Sequence, residues 1–120
     1  MKKFLSVLLF SYLYFFYGCD DVFPENISDN EVTTINPKEG DSITGSTVQF
    51  QWLTLEGADS YRLQVLDEQQ IIVVDSSITG LFYTDTMEPG RYRWQIKGEN
   101  SAYETVFSPV VNFSVIALSN

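Results

Sequence analysis

The sequence has no histidine and only one cysteine, Cys19. Without histidine it lacks the usual general base, the usual partner of a nucleophilic serine and the commonest transition-metal ligand. A single cysteine cannot form an internal disulfide, so apolar burial has to hold the fold together. Basic side chains are also scarce, seven against sixteen acidic ones, for a formal charge of −9. If Lys2 and Lys3 leave with a processed signal, five basic side chains remain and the charge becomes −11. Neutralising phosphates requires clustered lysine and arginine, so nucleic acid is not an expected partner. Beyond residue 19 no stretch sustains a 3.6-residue apolar period, which leaves little room for helices.

Two features of the N-terminus stand out. Lys2 and Lys3 precede an apolar run from Phe4 to Tyr17 broken only by Ser6 and Ser11, the layout of a secretory signal. The run is shorter than the roughly 20 residues that span a bilayer, and it is aromatic on every face, unlike an ordinary core helix. It ends in Phe16-Tyr17-Gly18-Cys19, followed by Asp20-Asp21. This arrangement resembles a bacterial lipoprotein signal, which implies cleavage after residue 18 and a lipidated Cys19 at the new N-terminus. Phe16 and Tyr17 stand where that family usually has leucine and a small residue. An ordinary signal with a stray thiol is the alternative, although a lone exposed thiol is a liability outside the cytoplasm. Asp20 and Asp21 resemble the acidic export signal of surface lipoproteins of Bacteroidota, which implies an outer-membrane, surface-exposed location in the cell envelope; in other Gram-negative groups the same acid implies retention at the inner membrane. From Cys19 to Glu31 the chain is acidic, with only Val22, Phe23 and Ile27 large and apolar. That composition predicts a solvated tether reaching about 20 Å.

Residues 32–117 read as one domain of short strands. In Met87 to Gly98, Pro89-Gly90 signals a turn, and strict alternation then puts Tyr92, Trp94 and Ile96 on one face and Arg91, Arg93, Gln95 and Lys97 on the other. Thr47 to Leu53 and Ser60 to Leu66 alternate in the same way, with Val48, Phe50, Trp52, Tyr61, Leu63 and Val65 inward. Further strands are expected at Val32 to Ile35, Gln70 to Asp75, Leu81 to Thr86 and Val106 to Ile116, with Pro109 marking an edge or bulge. Lys38 to Ser46 and Ser76 to Gly80 read as turns. Seven short strands separated by turns predict an all-β, immunoglobulin-like antiparallel β-sandwich. Its expected core is Phe50, Trp52, Tyr61, Leu63, Val65, Tyr83, Tyr92, Trp94, Ile96 and Phe113.

The tryptophan strand Val48 to Trp52, the run Gly57-Ala58-Asp59-Ser60-Tyr61-Arg62-Leu63-Gln64-Val65 and the run Met87-Glu88-Pro89-Gly90-Arg91-Tyr92-Arg93-Trp94-Gln95-Ile96 resemble bacterial fibronectin type III domains over residues 33 to 116. The resemblance implies that the loops Thr54 to Ala58, Ser76 to Gly80 and Gly98 to Thr105 gather at one end, where such domains often meet partners. The candidate binding residues in those loops are Glu56, Glu99, Asn100, Tyr103 and Glu104. Exposed tyrosine among small polar residues suits adaptable recognition; a packed or incidental Tyr103 is the plainer reading. Glu56, Glu99 and Glu104 match no Ca²⁺-loop spacing, and neither a cofactor nor a metal is expected. Serines without a base, in a sandwich with little concavity, do not predict an enzyme.

Arg91, Arg93 and Lys97 form a candidate basic face, either ion-paired across strands or available to acidic glycans or lipid headgroups. The expected function is a non-enzymatic, lipid-anchored envelope protein: an accessory or adhesive module. A glycan-binding accessory of polysaccharide uptake and a purely structural subunit are the alternatives. Its partners would be the membrane, through the N-terminal lipid, and an envelope protein or glycan.

Overall fold

Alternating segments become strands where a neighbouring strand completes their backbone ladder and a facing sheet covers their apolar side. The computed structural model describes residues 23–118, in which eight strands form: β1 (Thr34–Asn36), β2 (Asp41–Thr44), β3 (Thr47–Trp52), β4 (Ser60–Asp67), β5 (Ile72–Ile78), β6 (Phe82–Thr86), β7 (Gly90–Glu99) and β8 (Val111–Ile116). One sheet has the order β1-β3-β6 and the other the order β2-β8-β7-β4-β5. Every pairing is antiparallel except β2 with β8. The two sheets enclose one core, giving an all-β sandwich of immunoglobulin type.

Aromatic rings join the sheets. Phe50 of β3 meets Trp94 of β7 edge-on at 5.3 Å and Phe113 of β8 at 5.7 Å, the geometry that aromatic quadrupoles favour. Phe50, Trp52, Leu63, Val65, Trp94 and Ile96 are almost wholly removed from water. Each such burial contributes roughly 1.5–3 kcal/mol. Tyr83, on the edge strand β6, and Tyr92, beside the β6–β7 corner, pack against this cluster half-buried rather than within it.

The strand count differs from expectation by one. Asp41–Thr44 lies in a stretch read as turn, yet it pairs in parallel with β8 from Asp41↔Phe113 to Thr44↔Ile116. A single apolar residue, Ile43, gives this segment no period of its own; the backbone of β8 supplies the ladder. The first strand is thus split in two: β1 serves one sheet and β2 the other, with Pro37, which has no N–H to donate, between them. β5 runs on through Ser76 and Ser77, and Tyr61↔Ile78 is its last pair.

At the other extreme, residues 106–110 do not extend β8. Thr105 and Ser108 instead donate backbone N–H groups to Gly98 and Ile96 carbonyls, while their hydroxyl oxygens accept from the Gly98 and Ile96 N–H groups. Side chains stand in for a ladder that Pro109 cannot continue.

The predicted tether also differs. Ile27 is fully buried and Val32 is 2% exposed, so the solvated stretch gives way to docked chain well before Glu31. One apolar side chain finding a pocket outweighs the polar composition around it.

Candidate functional site

Strand register gives the sandwich two distinct ends. At the proximal end, Ser60 pairs with Glu99 and Tyr61 with Ile78; at the distal end, Asp67 pairs with Tyr92, Gly90 with Val115 and Thr47 with Thr86. The described chain enters at the proximal end, the end where the three loops predicted to gather also lie.

The proximal end is closed by its own chain. Asn100, in the β7–β8 loop, donates from Nδ2 to the Glu25 carbonyl at 2.7 Å and to the Gly57 carbonyl at 3.0 Å. Its Oδ1 accepts from the N–H groups of Ala102 and Tyr103. The side chain proposed as a ligand contact is therefore fully engaged in clasping the N-terminal segment to the β3–β4 loop. Gly57 sits beneath that segment with φ +91°, a conformation that favours glycine, and a Cβ there would come within 2.8 Å of the Ile27 side chain. Glu99 and Glu104 form an isolated bridge, and the Asn100 N–H donates to the Tyr103 carbonyl, so the β7–β8 loop is a tight turn. Tyr103 is 38% exposed on its rim, and Glu56 is exposed in the β3–β4 loop. Sequence reasoning placed these five residues near one another but missed that the N-terminal segment covers part of their surface.

The outer face of β7 and β4 is graded along its length. Near the proximal end Lys97 is held by Glu104 at 3.1 Å and lies over the Phe107 ring at 4.9 Å. Next to it, Arg62 Nε donates to Asp75 Oδ1 at 2.7 Å. That hydrogen bond, reinforced by charge attraction, holds the Asp75 carboxyl below its ordinary range and the Arg62 guanidinium above its own. Gln95 then donates to Gln64. Toward the distal end come Arg93, half-buried opposite Asn112, and Arg91, exposed opposite Ser114. Among the described residues neither arginine forms an ion pair. The basic row predicted from sequence is thus two systems, a satisfied lysine and an unpaired arginine couple.

A groove of about 350 Å³ runs across this distal part, lined by Arg91, Arg93, Asn112, Ser114, Gln70 and Glu68 among others. The Asp67 carboxylate, also at its edge, accepts from the N–H groups of Gln69 and Ile71 and shapes the β4–β5 turn. Between the arginines, Tyr92 points inward. It stacks on Phe113 at 5.6 Å and donates its hydroxyl to the Glu88 carbonyl at 2.7 Å across the β6–β7 corner. Burial first, then the charges of Glu88 and Asp67, raises the Tyr92 pKa above its ordinary value. A tyrosine bonded back to the preceding corner is a recurring feature of immunoglobulin-type sandwiches; the spacing Pro89-Gly90-Arg91-Tyr92 was its sequence signal.

No protein-family profile matches the chain, and no curated protein does. Solved structures do match. A fibronectin type III domain of human fibronectin type III domain containing protein 3 is 20% identical, covering 78% of this chain and 91% of that one, with a TM-score of 0.55. The fold is fibronectin type III-like. An Fn3-like protein from Clostridium thermocellum is 19% identical over 74% of this chain and 92% of its own, with a TM-score of 0.51. The fibronectin(III)-like modules of Clostridium thermocellum CbhA are 10% identical, over 73% and 99%, with a TM-score of 0.56. At such identities a fibronectin type III-like fold is shared and nothing finer follows, since this fold carries many unrelated roles. Cys19, Asp20 and Asp21, with the whole predicted signal, lie outside the described residues. Among the described residues no cluster of three or more His, Cys, Asp or Glu is arranged to hold a metal.

Proposed function

We propose that this chain is a non-enzymatic binding module of the cell envelope, held by lipid on Cys19 and presented on the outer-membrane surface with its distal end outward. The observation that carries the reading is the clasp at Glu25 and Ile27. Five residues separate Cys19 from Glu25, and so short a segment spans at most about 20 Å. The proximal loops would then face the bilayer, and the distal groove would lie one strand length further out, about 30 Å for the ten residues of β7. Recognition of a partner belongs on the distal half rather than on Tyr103 and its neighbours.

Intact mass of the membrane-extracted protein, together with protease treatment of whole cells, tests this. A chain beginning at Cys19 with added acyl mass and removed by external protease is the expected result. An unacylated chain cleaved elsewhere overturns the anchor and leaves only the sandwich. A second reading, a structural subunit of an envelope complex, draws on the apolar side chains of Ile71, Ile72 and Val73 exposed beside the sheet edge. Recovery of one stoichiometric protein partner, with no small ligand bound, would favour it.

A further inference from the structure

The distal groove is open, and in a strongly acidic protein it sets Arg91 and Arg93 beside Asp67 and Glu68. Arg91 and Arg93 stand two residues apart on one face of β7, about 7 Å along the strand. Across the ladder they face Asn112 and Ser114. No carboxylate of the described residues pairs with either guanidinium, whereas Lys97 and Arg62 on the same face are both paired. The Asp67 carboxylate is directed to backbone N–H groups and the Glu39 carboxylate accepts from the N–H and Nδ2 of Asn112, which leaves Glu68, among the described residues, as the acid at the groove's rim without such a partner. Tyr92, pinned to Glu88 and stacked on Phe113, fixes the strand that presents both arginines.

From this arrangement we propose that the groove binds an acidic polysaccharide, its carboxylate or sulfate groups taken by the Arg91 and Arg93 guanidinium forks and its hydroxyls by Ser114, Gln70 and the Asn112 Oδ1, the Asn112 Nδ2 being held by Glu39. Planar guanidinium groups bind such anions bidentately, and a pair that forms no ion pair among the described residues is available to do so. A protein partner would call for an apolar anchor pocket at the centre of the contact, whereas the aromatic residues of the lining, Tyr92 and Phe113, are stacked on each other and packed against the core. Lipid headgroups are disfavoured on the reading proposed above, on which this assignment rests. Thirty ångströms from the bilayer is several times the Debye length of about 8 Å at physiological salt.

The test is calorimetric titration of the full-length protein, in non-ionic detergent, with a galacturonic acid hexamer and with a neutral glucose hexamer. The acidic hexamer is expected to bind and the neutral one not. Arg91→Ala combined with Arg93→Ala should weaken binding by about tenfold or more, Arg93→Lys should weaken it less, and Lys97→Ala should leave it unchanged. Binding should also fall as salt rises. Equal binding of both hexamers, retention of affinity in the double variant, or no binding of the acidic hexamer by correctly folded protein overturns the assignment. So does binding of a polyglutamate peptide in preference to the acidic hexamer. Mass analysis at Cys19 reads the anchor separately: an acylated protein with a silent titration rejects the groove alone, and an unacylated protein that binds rejects the anchor alone.

Discussion

The two ends of the sandwich solve opposite problems. At the proximal end polar groups are used up internally: Asn100 bonds on both sides of its amide, Ile27 fills a pocket over Gly57, and the β7–β8 loop folds into a tight turn. At the distal end the interior is braced by Tyr92, but the outer face leaves two guanidinium groups without partners. A surface of candidate binding residues can therefore be structural, and a row that reads as ordinary strand exterior can be the open site. Substitutions at the two ends should separate accordingly, into losses of stability and losses of binding.

The largest effect is expected from Ile27→Ala. Truncating a fully buried aliphatic side chain costs about 2–5 kcal/mol, which urea unfolding would read as a lower midpoint. A change below about 0.5 kcal/mol, the range of ordinary surface substitutions, would mean that the segment is undocked in solution and the proximal end is open after all. Gly57→Ala comes next. Its left-handed backbone alone costs a residue with a Cβ about 1–2 kcal/mol, and the added carbon must displace the Ile27 side chain. Amide exchange locates the damage: the Asn30 N–H, which donates to the Ile27 carbonyl, should lose protection while the Trp94 amide in the core keeps it.

At the distal end Tyr92→Phe removes one hydrogen bond while keeping the ring on Phe113, for a loss of about 0.5–1.5 kcal/mol. Its pH dependence has a definite sign. The folded-state pKa of Tyr92 is raised, so the contribution is fully present below the unfolded value near 10 and is lost as pH rises through the folded value. The gap between wild type and Tyr92→Phe in unfolding midpoint should therefore close on the alkaline side. A gap that persists there would show that the hydroxyl does not brace the corner.

Much of this architecture is legible in the sequence because the period-2 signal is local. In β3 and β7, and in β4 except for Leu66, each apolar residue falls on the inward face, and Pro89-Gly90 marks the corner before Tyr92. What escaped is what depends on residues far apart in the chain. β2 exists because β8 offers a backbone edge, which Asp41–Thr44 does not announce. Ile27 is a single apolar residue in an acidic stretch, and its pocket is completed by Gly57, thirty positions on. Asn100 was picked out as a polar loop residue, but only the fold shows its amide turned toward Glu25 and Gly57. Arg91, Arg93 and Lys97 were visible as one row; Glu104 and Phe107, folding back from the next loop, take Lys97 out of it.

The smallest effect discriminates most finely between paired and unpaired cations on the same sheet. Arg62 lowers the Asp75 pKa, so this pair stabilises the fold above the unfolded carboxylate value of about 3.9 and ceases to do so as pH falls through the lower folded value. Both side chains are substantially exposed, and exposed pairs contribute little. Asp75→Asn should therefore lower the urea midpoint slightly at neutral pH, with the difference vanishing in strong acid. Arg91→Gln combined with Arg93→Gln should behave differently, with little change in stability and none of this acid dependence, because no carboxylate loses a partner. An acid-sensitive loss like that of Asp75→Asn would reveal a carboxylate already seated on the arginines. The distal groove would then be closed in the same way as the proximal end, and the distinction between the two ends would fail.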